Sequence, residues 1–421
     1  MRHEDKTEVL VVGAGPVGML TAIALAESGV RVKIIDQESR PAAHSYACAL
    51  HPATLRLLDR WGLATEILKR SRQLDTVAFY DGDSRRAEIR YAKLSSGFPY
   101  AVVLPQSELE QLLEQQLRTN GAVEILWNHR LNWLNCEKDA VVATIDEFAQ
   151  SAKGYSVPAM DWEIVRTMTT RAEFVVGADG HNSHVRQCLD IPFENVGEPE
   201  LFAVYEFESE MALGNELKVV LTEKTTDALW PLPEARGRWS FQLAQPELFT
   251  EFPSKERQDV LVVNPALDLF TKQDVEKFVR ARAPWFQSPV EELEWCTDVR
   301  FERRLVRRFG RNRCWLAGDA AHQTGPVGMQ SMNVGLQEAS QLADSLQRML
   351  RKGEPHRLLE DYEQSRRKEW SELLGLNGRV ASAHGTDRWI SQRSARMLPC
   401  IPASGRDLKC LLNQLGLELA Y

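Results

Sequence analysis

The chain has 421 residues, 43% of them apolar, enough to bury a large core, and its length suggests about two to three domains. A net charge of −8 spread over both signs argues against nucleic acid as a partner, and seven cysteines without paired spacing argue against a disulfide framework or a zinc site. No apolar run approaches the roughly 18 residues of a membrane span, and the opening MRHEDKTE has no signal-peptide core, so the expectation is a cytoplasmic chain without a membrane span.

In chain order, EVLVVGA reads as a strand, GPVGMLTAIALAESG as a helix and VRVKIID as a second strand, the outline of a right-handed crossover unit. Helices are predicted at HPATLRLLDRWG (51–62) and at QSELEQLLEQQLRTNG (106–121), where Ser107 can cap and Gly121 can terminate. The weakly patterned stretch 149–171 reads as a loop or hairpin between two strands. From about Phe202 to Leu243 short alternating stretches predict an antiparallel sheet. The basic run FERRLVRRFGRNR (301–313) reads as a solvated edge, and beyond Gly335 the pattern is mostly helical. Internal repeats, heptads and low-complexity tracts are absent from the sequence.

Gly13, Gly15 and Gly18 form a G-x-G-x-x-G loop between the first strand and its helix, with Pro16 opening the helix. In that setting the first glycine permits the tight turn, the second lets a pyrophosphate approach the backbone, and the third lets helix and strand pack closely. The helix N-terminus adds free N–H groups and a positive dipole end. Asp36, at the end of the second strand, is placed to accept a hydrogen bond from a ribose hydroxyl. The motif points to a dinucleotide without separating FAD from NAD.

Two further stretches have the same form. In FVVGADGHNSHVR (174–186) a strand runs into Gly177, Asp179 and Gly180, with Arg186 shortly after. In CWLAGDAAHQTGPVGMQSMNVGLQEA (314–339) a strand runs into Gly318 and Asp319, then a glycine-bearing loop and a helix. Together with the first loop, these stretches resemble the three fingerprints of the FAD-dependent aromatic hydroxylases, the single-component flavoprotein monooxygenases similar to para-hydroxybenzoate hydroxylase.

The resemblance implies an α/β fold: a Rossmann-like FAD-binding domain (1–74, 100–188 and 297–345), an inserted, mainly antiparallel substrate domain (75–99 and 189–296), and a helical C-terminal region (346–421). It assigns Asp319 to the ribityl chain and places Asp179 and Gly180 near the flavin and the nicotinamide path. It puts Pro326 beside the flavin ring as the site-shaping residue, and Gly328, Met332 and Asn333 in a loop whose backbone N–H groups face the pyrimidine end. Donors there stabilise negative charge on reduced flavin. Gln106, in VLPQSELEQLL, matches a family glutamine that contacts flavin, and Leu131 matches a backbone contact to adenine. The open alternative for Gln106 is an exposed helix-start residue.

The chain departs from the family pattern where an arginine is common: HSYACALHPATL has Tyr46 and Ala53 at those places. A tyrosine carries neither the charge nor the bidentate fork of arginine, which bears on NAD(P)H docking and flavin mobility. The loop after the proline has Met329 and Ser331 in place of family glycines. His44, Cys48 and His51 fall near the expected flavin, as packing residues or, alternatively, a covalent tether. His322 is a candidate base, with a buried structural histidine as the alternative.

On the substrate side, Trp230, Leu232, Pro233 and Trp239 supply apolar surface for a planar aromatic molecule, each with ordinary sheet core as the alternative. The resemblance implies a monooxygenase in which NAD(P)H reduces FAD, O2 adds at the flavin C4a carbon, and the terminal oxygen of that hydroperoxide passes to a phenol- or polyketide-like aromatic. A flavin oxidase or dehydrogenase of the same fold, and a flavin-binding protein without catalysis, remain alternatives. A homodimer is left open.

Overall fold

The computed structural model describes residues 5–39, 47–95, 97–153, 159–209, 213–243, 271–287, 290, 292–376, 378 and 380–419. Two sheets organise it. In the first, β8 (Val123–Trp127), β2 (Val32–Asp36), β1 (Asp5–Val12), β11 (Ala159–Gly177) and β20 (Cys314–Leu316) lie side by side and parallel, with β19 (Gly310–Arg311) antiparallel at the edge. Val9 to Val12 and Val32 to Ile35 are buried throughout, the run expected of strands covered on both faces. One cover is α1 (Pro16–Ala26), packed between the sheet, α4 (Gln106–Arg118) and α7 (Gln330–Lys352). That position explains a helix apolar on every side, with nine of its 11 residues buried.

Beyond its parallel half, β11 pairs with β10 (Val141–Lys153), which pairs with β9 (His129–Cys136), forming an antiparallel arm. The loop-or-hairpin stretch 149–171 lies within this hairpin. The arm exposes Trp133, Trp162, Ile164 and Val165.

The second sheet has the order β17 (Leu293–Phe301), β13 (Glu200–Glu208), β16 (Arg236–Gln242), β15 (Thr226–Pro231), β14 (Glu216–Leu221), β5 (Thr76–Asp81) and β6 (Ser84–Arg90). Only β14 and β5 pair in parallel among these described strands. Small sheets join β3 (Ala49–Leu50), β7 (Ala101–Val103) and β4 (Arg72–Leu74), then β12 (Phe193–Asn195), β18 (Arg304–Val306) and β21 (His322–Gln323), and β22 (Val380–Ser382) with β23 (Leu417–Leu419). The remaining helices are α2 (Pro52–Asp59), α3 (Ala64–Arg70), α5 (His184–Cys188), α6 (Lys272–Arg282), α8 (Arg357–Leu373), α9 (Arg388–Met397) and α10 (Gly405–Asn413).

Strand alternation sorts the second sheet into two faces. Phe202, Val204, Val219, Ala228 and Trp230 join the core shared with the first sheet. Tyr205, Leu229, Trp239 and Phe241 form a separate cluster with Val275 and Val279 of α6. Trp239 stacks on Phe241 at 4.8 Å and meets Phe286 edge-on. The expectation that Trp239 shares a substrate wall with Trp230 is therefore corrected: an odd offset along the strands sends it to the opposite face.

Two helix-end expectations also change. Pro105 holds the position before α4 and no side chain caps it, so Ser107 lies inside the first turn. The helix closes through Thr119, before Gly121 is reached. The basic run 301–313 turns Leu305, Val306 and Phe309 inward and pairs Arg304 with Glu302 and Arg307 with Glu194 at the surface.

The C-terminal segment ties the two sheets together. Trp389 Nε1 donates to Asp81 Oδ2 at 2.6 Å, Arg396 donates to Thr222 O at 2.7 Å, and Arg56 pairs with Asp407 at 2.6 Å. The Gln330 amide meets Ile401 O at 3.4 Å.

Replacing Trp239 by Ala removes a large side chain from a rigid aromatic cluster. The expected loss is about 3–5 kcal/mol in urea unfolding, with flavin content per folded chain unchanged.

Candidate functional site

The three glycine-bearing loops of the sequence meet at the N-terminal end of α1. Gly13 has φ +100°, and a Cβ on it would lie 2.2 Å from Ala178 O and 2.8 Å from Asp179 Cα. The first and second loops therefore touch, and only glycine fits the contact. A Cβ on Gly18 would lie 1.9 Å from Gly13 O, whereas a Cβ on Gly15 would meet nothing within 4 Å. Gly15 thus faces open space at the head of α1, where free N–H groups await an acceptor.

The third loop completes the cradle. Gly318, at φ +66°, approaches Val17, and Gly335 in the second turn of α7 approaches both Val17 and Gly318 Cα. Arg186 binds the loops to each other: Nη1 donates to Ala320 O at 2.9 Å and Nη2 to His181 O at 2.8 Å, with the guanidinium over the Phe193 ring. Gly335 was not singled out in the sequence as a contact residue, although a glycine inside a helical pattern is itself a sign of close approach.

Three carboxylates surround this cradle. Asp36 Oδ2 accepts from Ala14 N at 2.6 Å and Oδ1 from Glu38 N at 2.9 Å; burial raises its pKa against those two bonds. Asp179 Oδ2 accepts from His184 N and Val185 N at the start of α5, while its buried Oδ1 has no hydrogen-bond partner among the described residues. Burial raises Asp179 as well. Asp319 keeps solvent access on one side, and desolvation by the surrounding protein raises it, with His322 and His181 opposing.

Glu338, unmentioned by the sequence reading, positions the third loop. Fully buried, its Oε2 accepts from Gly318 N at 2.8 Å and from His322 Nε2 at 2.8 Å, and its Oε1 accepts from Trp370 Nε1 at 2.7 Å. Burial works to raise its pKa, and His322, with Arg366 and the Gly318 N–H, overcomes this and lowers it. His322 stacks on Trp370 at 3.8 Å. These contacts match the structural alternative for His322, through a carboxylate partner.

Pro326 is buried, and the loop then turns at Met329, a non-glycine residue held at φ 51° before α7. In a helix starting at Gln330 the first-turn N–H groups through Met332 lack intrahelical acceptors, which sets Gln330, Ser331 and Met332 as the donors. Asn333 follows as the fourth residue of α7, and its side chain has a separate structural role. Its Oδ1 accepts from His51 N at 2.8 Å, and its Nδ2 donates to Ala49 O at 2.9 Å and Met329 O at 2.7 Å, fastening β3 to α7. Gly328 also has a packing role: a Cβ there would lie 2.5 Å from Pro399 O.

His51 is fully buried, with Nε2 at 2.8 Å from Gly328 O, and burial lowers it to about 4. Cys48 is fully buried and its thiol is pushed up to about 11 by burial. Both are packing residues, and Ala53 lies in the first turn of α2. His44 and Tyr46 lie outside the described residues. Gly180, at φ +74°, has open space where a Cβ would point. Gln106 donates from Nε2 to Glu110 Oε1 at 2.7 Å. Leu131 is buried beside Asn132, whose carbonyl is 2.7 Å from His184 Nε2.

Across from these loops, Trp230 and Leu232 are buried on the inward face of the second sheet, and Pro233 lies in the turn after β15. The same face carries polar groups that no motif announced. Arg238 pairs across strands with Glu206, its Nε donating at 2.8 Å, and stands in register with Trp230. Glu200 packs against Gly325, where a Cβ would lie 2.7 Å from its Oε2, and burial raises it despite Arg303 and Arg396. Alternation in RWSFQ already places Arg238 opposite in sense to Trp239, the one signal that sequence offers for it.

The chain matches the FAD binding domain family over residues 6–374 and belongs to it. It is 27% identical over 370 residues to para-nitrophenol 4-monooxygenase of Pseudomonas sp. strain WBC-3, a match covering 87% of this chain and 84% of that one. It is 30% identical over 370 residues to rifampicin monooxygenase of Streptomyces venezuelae, covering 87% and 69%. Three longer relatives are spanned over 65%, 62% and 55% of their length. The crystal structure of p-nitrophenol 4-monooxygenase from Pseudomonas putida DLL-E4 has the same fold, with a TM-score of 0.74, 24% identity, and coverage of 98% of this chain and 97% of that one. Within its family the chain is an FAD-dependent monooxygenase of the aromatic hydroxylase type. No helix among the described residues is long and apolar enough to cross a membrane.

The residues present fit FAD: two glycines that allow no side chain, one that faces open space, an accessible Asp319, and free donors at the heads of α1 and α7. Gly15→Ala is expected to leave the melting temperature of the flavin-free protein unchanged and to lose flavin affinity about tenfold or more, read as absorbance per chain during dialysis. Gly18→Ala is expected to fail earlier, in folding itself. His51 gives a pH signature. Its folded pKa of about 4 lies below the ordinary 6.5, so its stability contribution is present above pH 6.5 and is lost as pH falls towards 4, by up to about 3 kcal/mol. Urea midpoints across that window, flattened in His51→Gln, check it.

Proposed function

We propose that this protein inserts one oxygen atom of O2 into a phenol- or polyketide-like aromatic molecule, with NAD(P)H as the transient reductant. One observation carries the reading: the Pro326 loop, which follows the Gly318 part of the cradle, meets the second sheet where Gly325 packs against Glu200, on the sheet face that also bears Trp230 and the Arg238–Glu206 pair. Bound FAD would supply the redox chemistry that activates O2 for transfer of one of its oxygen atoms to an electron-rich ring.

The chain's own residues do the rest. The first-turn N–H groups of α7 and its dipole favour negative charge at the ring end of the cofactor. The loop of Gly13, Gly15, Pro16 and Gly18 would hold the pyrophosphate, Asp36 the ribose and Asp319 the ribityl chain. Asp179, Gly180, Gln106, Leu131 and the backbone of Gly328 to Met332 line the remainder, and Pro326 shapes the ring side. Trp230, Leu232 and Pro233 keep water from the reacting centre, where exposure would divert turnover to peroxide release. Arg238 is charge-paired with Glu206 on this face, so it adds no net positive charge there, which suits a neutral aromatic better than one with a free carboxylate. Glu200, raised by burial, is placed beside Gly325 to hold the proton of a phenolic hydroxyl at Oε2.

The test is a yellow purified protein that oxidises NAD(P)H faster with a phenolic substrate and places 18O from labelled O2 in the product. Oxidation of the substrate without label would instead support the oxidase or dehydrogenase reading. A protein that cannot be reconstituted with FAD would overturn both. Glu200→Gln is expected to lower kcat about tenfold or more and to remove the acidic limb of the pH–rate profile, with flavin content unchanged.

A further inference from the structure

Away from the cradle, two thiols from distant parts of the chain lie together. Cys136 ends β9 and is exposed; Cys314 opens β20 and is buried. Their sulfurs are 3.6 Å apart with one thiol hydrogen shared between them. The register explains the meeting. Cys136 stands opposite Val141, Val141 opposite Ala172 of β11, and three residues further along β11 Val175 stands opposite Cys314. The start of β10 and the start of β20 therefore abut along one flank of β11. Arg313 fixes the junction by donating to Lys138 O at 3.2 Å in the turn after β9.

We propose that Cys136 and Cys314 form an oxidation site, at which a hydroperoxide converts the pair to an intramolecular disulfide. The exposed Cys136 thiolate attacks the peroxide oxygen, giving a sulfenic acid and hydroxide from hydrogen peroxide. The Cys314 sulfur then attacks the Cys136 sulfur, the S–O bond breaks and water leaves, so that two thiols and one hydrogen peroxide become one disulfide and two waters. The S–S bond is about 2.0 Å long, so the sulfurs close a gap that side-chain rotation can supply.

Their surroundings favour this order. The hydrogen bond with Cys314 lowers Cys136 to about 7 against partial burial, and Arg311 adds to the effect. The same shared hydrogen, together with burial, raises Cys314, which suits a resolving thiol that waits for its partner to be oxidised. A third thiol, Cys188 on α5, faces Cys136 half-buried and is raised by burial, which makes it the slower competitor. The site is independent of the assigned reaction, because peroxide from any source serves.

The experiment uses the purified holoprotein. It is treated with hydrogen peroxide, blocked with N-ethylmaleimide and digested without reduction for peptide mass spectrometry. The expected product is a cross-linked peptide pair containing Cys136 and Cys314 that disappears with dithiothreitol. At pH 7, iodoacetamide should label Cys136 about fivefold or more faster than Cys410, an exposed thiol on α10. In Cys136→Ser the cross-link is absent and Cys314 stays reduced; in Cys314→Ser, Cys136 accumulates a sulfenic acid trapped by dimedone. If Cys314→Ser fails to fold, the exposed-site variant Cys136→Ser carries the test alone. A Cys136–Cys188 cross-link in the native protein, or a reduced Cys136 under conditions that oxidise Cys410, would overturn the proposal.

Discussion

A buried carboxylate without partners is among the most costly features a fold can contain, and Glu338 is fully buried. Its place is tolerable because Gly318 N, His322 Nε2 and Trp370 Nε1 all donate to it. The same bonds fix the backbone from which Asp319 projects. Three successive segments, the loop after β20, the middle of α7 and the last turn of α8, are thereby held in one arrangement. Breaking one partner would leave a desolvated charge, so the group acts as a unit.

Around that anchor, close backbone contact does the positioning. The first loop meets the second through Gly13 and the third through Val17, and Arg186 bonds to carbonyls of both later loops. The cradle is thus specified mainly by main-chain shape. The inward face of the second sheet, in contrast, presents side chains, Trp230 beside the Arg238–Glu206 pair.

How much of this was legible follows from the kind of constraint involved. Gly13 and Gly18 were readable because no other residue fits, and the strand–loop–helix order around them is local. The arm was readable only as a loop or hairpin, since its exposed Trp162, Ile164 and Val165 blur the alternation. Trp239 was placed on the wrong face because period two reports that faces alternate without saying which one is inward. The fastening of β3 to α7 by the Asn333 side-chain amide, through His51, Ala49 and Met329, leaves no local signal in the sequence. Glu338, the Arg238–Glu206 pair and the two adjoining thiols were invisible, because each depends on partners brought together by tertiary folding.

The C-terminal segment has a consequence for biosynthesis. Trp389, Arg396 and Asp407 reach back to Asp81, Thr222 and Arg56, and Gln330 beside the Pro326 loop is met by Ile401. These contacts have very large sequence separation, so they close after everything they touch has been made. A ribosome-bound chain can pair β8, β2, β1 and β11 once residue 177 has emerged, whereas β20 and the loop through Pro326 are made later and the contact of Gln330 with Ile401 closes last.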